Sequence, residues 1–143
     1  MQKSIGFEIR AITNQLKRHI NSLPVFQQYD LRGGRGYILG FLYDHADKAI
    51  YQKDIEEEMA LRKSSVTSLL NNLEKNGLIE RRPSPDDARL KSVVLTEKGG
   101  RIHEEVASEI DRVETLLTEG FSGEETKTFM NLLARIERNI ENI

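Results

Sequence analysis

Cysteine is absent from the 143 residues, which removes disulfides, thiolate catalysis, thiol redox sensing and cysteine zinc sites together. Proline is scarce, at three residues, as suits a mostly helical chain. No apolar run approaches the roughly 20 residues that span a bilayer, and the N-terminus lacks the basic-then-apolar layout of a signal peptide. The expected location is therefore cytoplasmic, with no membrane partner. No serine stands beside a histidine in a nucleophile-elbow context, and no titratable pair suggests an enzyme acting on a small molecule. His19, His45 and His103 lack the i, i+4 pairing of helical metal sites, so zinc sensing would need dimer geometry. Glu56, Glu57 and Glu58 are consecutive on a helix and point in different directions, which reads as a solvated face. Gly33-Gly34-Arg35-Gly36 has neither the Walker spacing and lysine nor a preceding strand, which argues against a phosphate cradle. No enzyme activity, cofactor or metal is expected. The chain also has no internal repeat and no low-complexity segment.

What is present is charge and amphipathic pattern. With 38% hydrophobic and 31% charged residues, the chain is long enough for one buried core, and residues 1–143 read as one domain. The net charge of -2 is unevenly spread. Residues 60–101 hold nine Lys or Arg against five Asp or Glu, a local +4, and the remainder carries -6. Positive charge is gathered in one stretch, which a polyanionic partner requires.

That stretch also carries the clearest pattern of elements. Ile5, Ile9, Ile12, Leu16 and Ile20 step by three or four, predicting a first helix to about Asn21, before Pro24. A polar-aromatic connection through Phe26 and Tyr29 leads to Tyr37–Tyr43, an apolar segment that suits buried helix or strand, with helix favoured by the helical pattern downstream. Gln52–Met59, a turn at Ala60-Leu61, and a segment carrying Val66, Leu69, Leu70 and Leu73 read as a helix-turn-helix. Gly77 ends the second helix and Leu78-Ile79 resumes as strand. Pro83-Ser84-Pro85-Asp86 is expected at the tip of a ribbon that returns through Ser92–Leu95. Thr96 suits the N-cap of a long helix bearing Ile102, Val106, Ile110, Val113 and Leu117. Ser122 and Glu125 form a capping box for a last helix bearing Phe129, Leu133, Ile136, Ile140 and Ile143. The expected fold is mainly α with a small β-wing (α+β): a winged helix-turn-helix over about 30–96, with terminal helices over about 1–22 and 97–143 whose stripes need a partner surface.

An α-helix fits the major groove of DNA, and a basic ribbon beside it can reach the minor groove. On the second motif helix, Arg62, Lys63, Ser64, Ser65, Thr67, Ser68, Asn71 and Asn72 are left outward by the apolar positions. Small hydroxyls, amides and cations are the groups that reach base edges and phosphates. In the ribbon, Arg89 suits a narrow minor groove and Asp87, two residues away on a strand, shares its face and could orient it. Arg82 and Lys91 are candidate phosphate contacts. Bland readings compete: a serine-rich solvated helix face, and a surface ion pair worth at most about 1 kcal/mol. Phe26, Tyr29, Tyr37, Phe41 and Tyr43 read mostly as core, and some could line a cleft for a small aromatic or amphipathic effector.

Five segments stand in a fixed order and spacing: Gln52-Lys53-Asp54-Ile55, Ser64-Ser65-Val66-Thr67, Leu73-Glu74-Lys75-Asn76-Gly77-Leu78-Ile79, Asp87-Ala88-Arg89 and Leu95-Thr96-Glu97-Lys98-Gly99. Together they resemble the MarR family of transcriptional regulators over nearly the whole chain. The glycine-rich 33–36 run departs from the usual start of the family's second helix. The resemblance implies a homodimer with interlocking terminal helices, and two winged helices spaced for a pseudo-palindromic operator in double-stranded DNA. It also implies a repressor in most such families, with a small-molecule pocket in many. The alternative is a winged-helix protein-protein interaction module without DNA binding, since the fold also serves as a scaffold.

Overall fold

The apolar steps along the N-terminus fold as α1 (Ile5–Ser22), entered at Ser4, whose hydroxyl accepts from the Phe7 amide at 3.2 Å. None of its residues is buried, and Ile5, Phe7, Ile9 and Ile12 are exposed. Where the sequence suggested only a connection, Pro24 opens a short helix, α2 (Pro24–Gln28). Its fixed φ and missing N–H suit the first helical turn, and the helix seats Phe26 in the core. The glycine-rich run forms a 3-10 turn, Arg32–Gly34. Gly34 has φ 99°, a left-handed conformation costly for any residue with a Cβ, and it sets the start of α3 at Arg35. The next, apolar segment is helix α3 (Arg35–Asp44), burying Ile38, Leu39 and Leu42.

Helix α4 (Gln52–Met59) begins where the Asp54 carboxylate accepts from the Tyr51 amide at 2.8 Å. It ends at Ala60, held left-handed at φ 51°, and this tight turn delivers α5 (Lys63–Lys75). Val66, Leu70 and Leu73 are the inward face of α5 and are completely buried. Each such side chain contributes about 1.5–3 kcal/mol by leaving water, which holds the opposite face of the helix outward.

After Gly77, at φ 76°, strand β1 (Ile79–Pro83) pairs antiparallel with β2 (Lys91–Leu95), in register from Ile79 opposite Leu95 to Pro83 opposite Lys91. Pro83 was expected in the tip but is the last paired residue of β1, and the tip is 84–90. The reason is hydrogen-bond phase. The Ser84 amide bonds the Leu90 carbonyl at 2.8 Å, which puts Pro83 at a non-bonded position where no N–H is needed. The hairpin is tied down on its other edge by Val93 N donating to Ile50 O at 2.7 Å and by a bridge between Tyr51 and Ser92. The hydroxyls of Tyr51 and Ser84 also hydrogen-bond, linking the head of α4 to the base of the tip.

Helix α6 (Glu97–Leu117) is capped by Thr96, whose hydroxyl oxygen accepts from the Gly99 amide at 3.0 Å and donates to the Gly77 carbonyl at 2.7 Å. A side chain at Gly99 would collide with the carbonyl of Leu78, so glycine is needed for α6 to leave the hairpin at this angle. Ile102, Val106 and Val113 are its buried apolar positions. Helix α7 (Gly123–Glu141) starts with reciprocal bonds between Ser122 and Glu125, at 2.9 and 3.0 Å.

The computed structural model describes residues 2–143 and divides into two compact units, Met1–Glu109 and Ile110–Ile143. The completely buried side chains, including Leu31, Ile38, Leu39, Ile55, Leu78 and Ile79, all lie in the first. No helix among the described residues is long and apolar enough to cross a membrane.

Candidate nucleic-acid interface

The first turn of α5 carries no acidic residue, and its N-cap, Arg62, makes no side-chain cap bond. Its leading amides therefore lack a side-chain acceptor, as at the start of any uncapped helix. Arg62 and Lys63 sit at this positive end of the helix dipole, where a cation is unfavourable by about 0.3–1 kcal/mol. An anion placed there would meet free amides, the dipole and two cations at once. Ser64, Ser65, Ser68 and Asn71 are exposed and Thr67 is half-buried, so the structure holds these predicted site residues on one open helical surface. Lys63, Ser64, Thr67, Ser68 and Asn71 together line a shallow depression. Asn72 is half-buried and accepts from the Asn76 amide group at 3.3 Å, which places it at the margin.

Two members of this surface are held by neighbours. Gln52 Nε2 donates to Thr67 Oγ1 at 2.8 Å, and Arg81 Nη1 donates to Asn71 Oδ1 at 2.9 Å. Arg81 also meets Glu74: Nη1 to Oε1 at 3.2 Å and its backbone amide to Oε2 at 3.1 Å. The carboxylate thereby covers an outward N–H of the edge strand. Arg81 was not among the residues singled out in the sequence. Its signal is strand alternation, since Arg81 shares a face with buried Ile79, but the bond to Asn71 crosses ten residues and no short motif announces it.

In the wing tip, Arg89 is 90% exposed and clasped by Asp87 through Nε to Oδ1 and Nη2 to Oδ2, both at 3.1 Å. The pair does not lie on a strand, as alternation had suggested. It lies in the turn closed by Leu90 N to Asp87 O at 3.0 Å, and the Asp87 carboxylate also accepts from the Arg89 amide at 3.0 Å. Local turn geometry, not strand register, brings the two side chains together. The hydrogen bonds from the Arg89 side chain and amide hold the Asp87 carboxyl below the usual aspartate range. The clasp therefore persists at neutral pH and is lost only as pH falls through that lowered value.

Several cations of the 60–101 stretch are engaged by carboxylates. Arg81 pairs with Glu74, Arg82 with Glu80 at 2.6 Å, and Arg101 with Glu97 at 3.1 Å. Arg82 thus shares its charge with a neighbour on the same strand face, which weakens it as a phosphate contact. Arg62, Lys63 and Lys91 form no ion pair among the described residues, and all three are exposed.

The aromatics divide. Phe26 is core, while the exposed Tyr37 and Tyr43 donate to Glu58 at 2.9 Å and to Glu104 at 3.2 Å. Phe41 contributes to an open cleft of about 520 Å³ at the head of α4, lined also by His45, Lys48, Tyr51, Asp54 and Glu58.

A helix-turn-helix followed by a protruding hairpin and a long helix is a winged helix-turn-helix. A family model described as MarR family matches residues 29–90. The HTH-type transcriptional regulator YwhA of Bacillus subtilis is 34% identical over 102 residues, covering 71% of this chain and 72% of YwhA. A second B. subtilis HTH-type regulator, YdgJ, is 35% identical over 106 residues, and the match covers 74% of this chain but only 63% of YdgJ. Among solved structures, the Staphylococcus aureus MepR-DNA complex superposes with a TM-score of 0.87 at 27% identity, covering 96% of both chains. The chain belongs to the MarR family of transcriptional regulators.

Proposed function

We propose that the chain is a sequence-specific DNA-binding repressor that acts as a homodimer on a pseudo-palindromic operator. The observation that carries this reading is the uncapped, cation-flanked start of α5, continuous with an exposed polar face and joined through Arg81 to a hairpin that presents Arg89. Arg62, Lys63, Lys91 and Arg89 supply phosphate and minor-groove contacts, with Arg82 a lesser one because Glu80 shares its charge. Ser64, Ser65, Thr67, Ser68 and Asn71 face the bases, and Asp87 orients Arg89. That MepR has been solved with DNA supports the reading.

The whole chain works as one MarR-like unit in this account: about 30–96 is the reading head, and about 1–22 and 97–143 are dimerisation helices. Two heads about 34 Å apart engage successive major grooves, so a small change in spacing misaligns one half-site. An effector in the cleft at the head of α4 would release DNA if it bound the misaligned form more tightly.

The test is fluorescence polarisation with the DNA upstream of the protein's own gene, titrated with salt. Binding that prefers this sequence and weakens steeply as salt rises is expected. Absence of binding at low salt would favour a protein-protein interaction module instead.

A further inference from the structure

We propose that Arg81 is a positioning residue for DNA reading: it fixes the Asn71 side chain with its donor end free, so that α5 selects guanine at one position of each half-site. The inference rests on the reading of α5 as the DNA-binding helix.

The orientation of Asn71 is dictated by chemistry. A guanidinium has donors and no acceptor, so the atom of Asn71 at 2.9 Å from Arg81 Nη1 must be its oxygen. The amide nitrogen is then the end left for an incoming partner. Arg81 cannot easily turn away. Its guanidinium and its backbone amide are both held by Glu74, and its side chain is only 20% exposed, so it acts on DNA through Asn71 and not by contact.

Thr67 is biased in the same sense. Gln52 Nε2 donates to Thr67 Oγ1 at 2.8 Å and approaches the Lys63 carbonyl at 3.4 Å, a group that only accepts. The Thr67 oxygen is engaged as an acceptor and its proton is free. Two groups one helical turn apart thus offer donors to the groove. Guanine answers with two adjacent acceptors, O6 and N7, whereas adenine places an amino donor beside N7 and cytosine presents an amino donor. Without the Arg81 bond the Asn71 amide could turn over and serve adenine equally well.

The probe is the duplex that wild-type protein enriches from a randomised library. Its affinity is measured for every single base-pair substitution, with wild type, Asn71→Ala, Arg81→Met, the double variant and Asn71→Asp. Asn71→Ala and Arg81→Met are each expected to flatten discrimination at the same guanine by about tenfold or more, with no further loss in the double variant. Affinity of Arg81→Met for unrelated duplex should stay within about twofold, which a merely structural role of Arg81 would not allow. 7-Deazaguanine at that position, which lacks the N7 acceptor, should weaken wild type. Asn71→Asp keeps the Arg81 bond but exchanges the free donor for an acceptor, so it tests the idea even if Arg81→Met does not fold, and it should lose the guanine preference. Retained guanine preference in Asn71→Asp, or flattening by Arg81→Met at a base pair that Asn71→Ala does not affect, would overturn the assignment while leaving DNA binding intact. If the library yields no enriched sequence, the DNA-binding reading itself falls, and this inference with it.

Discussion

Helices α5 and α7 are both amphipathic, and they use their two faces in opposite ways. In α5, Val66, Leu70 and Leu73 are completely buried and the polar face is open. In α7 no residue is buried, and Phe129, Met130, Leu132 and Ile140 are exposed. A helix that has spent its apolar face on its own core has only polar chemistry left to offer. A helix with Phe129, Met130, Leu132 and Ile140 uncovered and Leu133 and Ile136 only half-buried has hydrophobic area to offer, and large exposed apolar patches mark interaction surfaces. The same contrast separates α5 from α1, which also buries nothing. We therefore read α5 as the face for a polyanion and the terminal helices as the face for a second copy.

Equal truncations in the two helices separate their roles most forcefully. Leu70→Ala is expected to cost about 2–5 kcal/mol of folding stability, because it removes a buried side chain and leaves a cavity. Chemical denaturation should show that loss at any protein concentration. Leu132→Ala, at a position 47% exposed, should instead cost stability only to the extent that dimerisation contributes, and so by an amount that changes with protein concentration. Similar, concentration-independent losses in both would erase the distinction.

A charge in the α7 stripe, at half-buried Ile136, tests assembly. Ile136→Asp should leave helical content unchanged and convert the sedimenting species from dimer to monomer at micromolar concentration. A 16.4 kDa wild-type monomer under those conditions would refute the role given to the terminal helices.

The smallest effect belongs to the wing. Arg89→Ala should weaken operator binding and lower the slope of log affinity against log salt by about one, the change for one lost phosphate contact. Its clasp with Asp87 is exposed and contributes little to stability, so the folding midpoint should not move. Unchanged affinity and slope would remove Arg89 from the interface.

Periodicity and caps made most of this architecture legible in the sequence. The three- and four-residue steps marked α1 and the motif helices, Thr96 and the Ser122/Glu125 pair marked the starts of α6 and α7, and the run from Leu73 to Ile79 marked the helix stop before the hairpin. What escaped was set by contacts or by phase. Pro24 starting a short helix, and Pro83 closing a strand, are both cases where proline fits because its missing N–H falls where no bond is needed. Asp87 and Arg89 pair as their spacing predicts but lie in a turn and not on a strand, since alternation and a turn both bring residues two apart onto one side. Counting charge along 60–101 overstated the cations available for DNA, since Arg81, Arg82 and Arg101 spend theirs on Glu74, Glu80 and Glu97. The Arg81-Asn71 bond was invisible for the same reason: its partners meet only once β1 is laid beside α5.

The most direct measurement of which face meets DNA is hydrogen-deuterium exchange with and without the upstream duplex. The leading amides of α5 have no intrahelical acceptor and should exchange rapidly in the free protein. Slowed exchange in peptides spanning 62–68 and 84–91, with residues 123–141 unchanged, is the predicted result. Protection confined to 123–141, with the start of α5 unaffected, would contradict it.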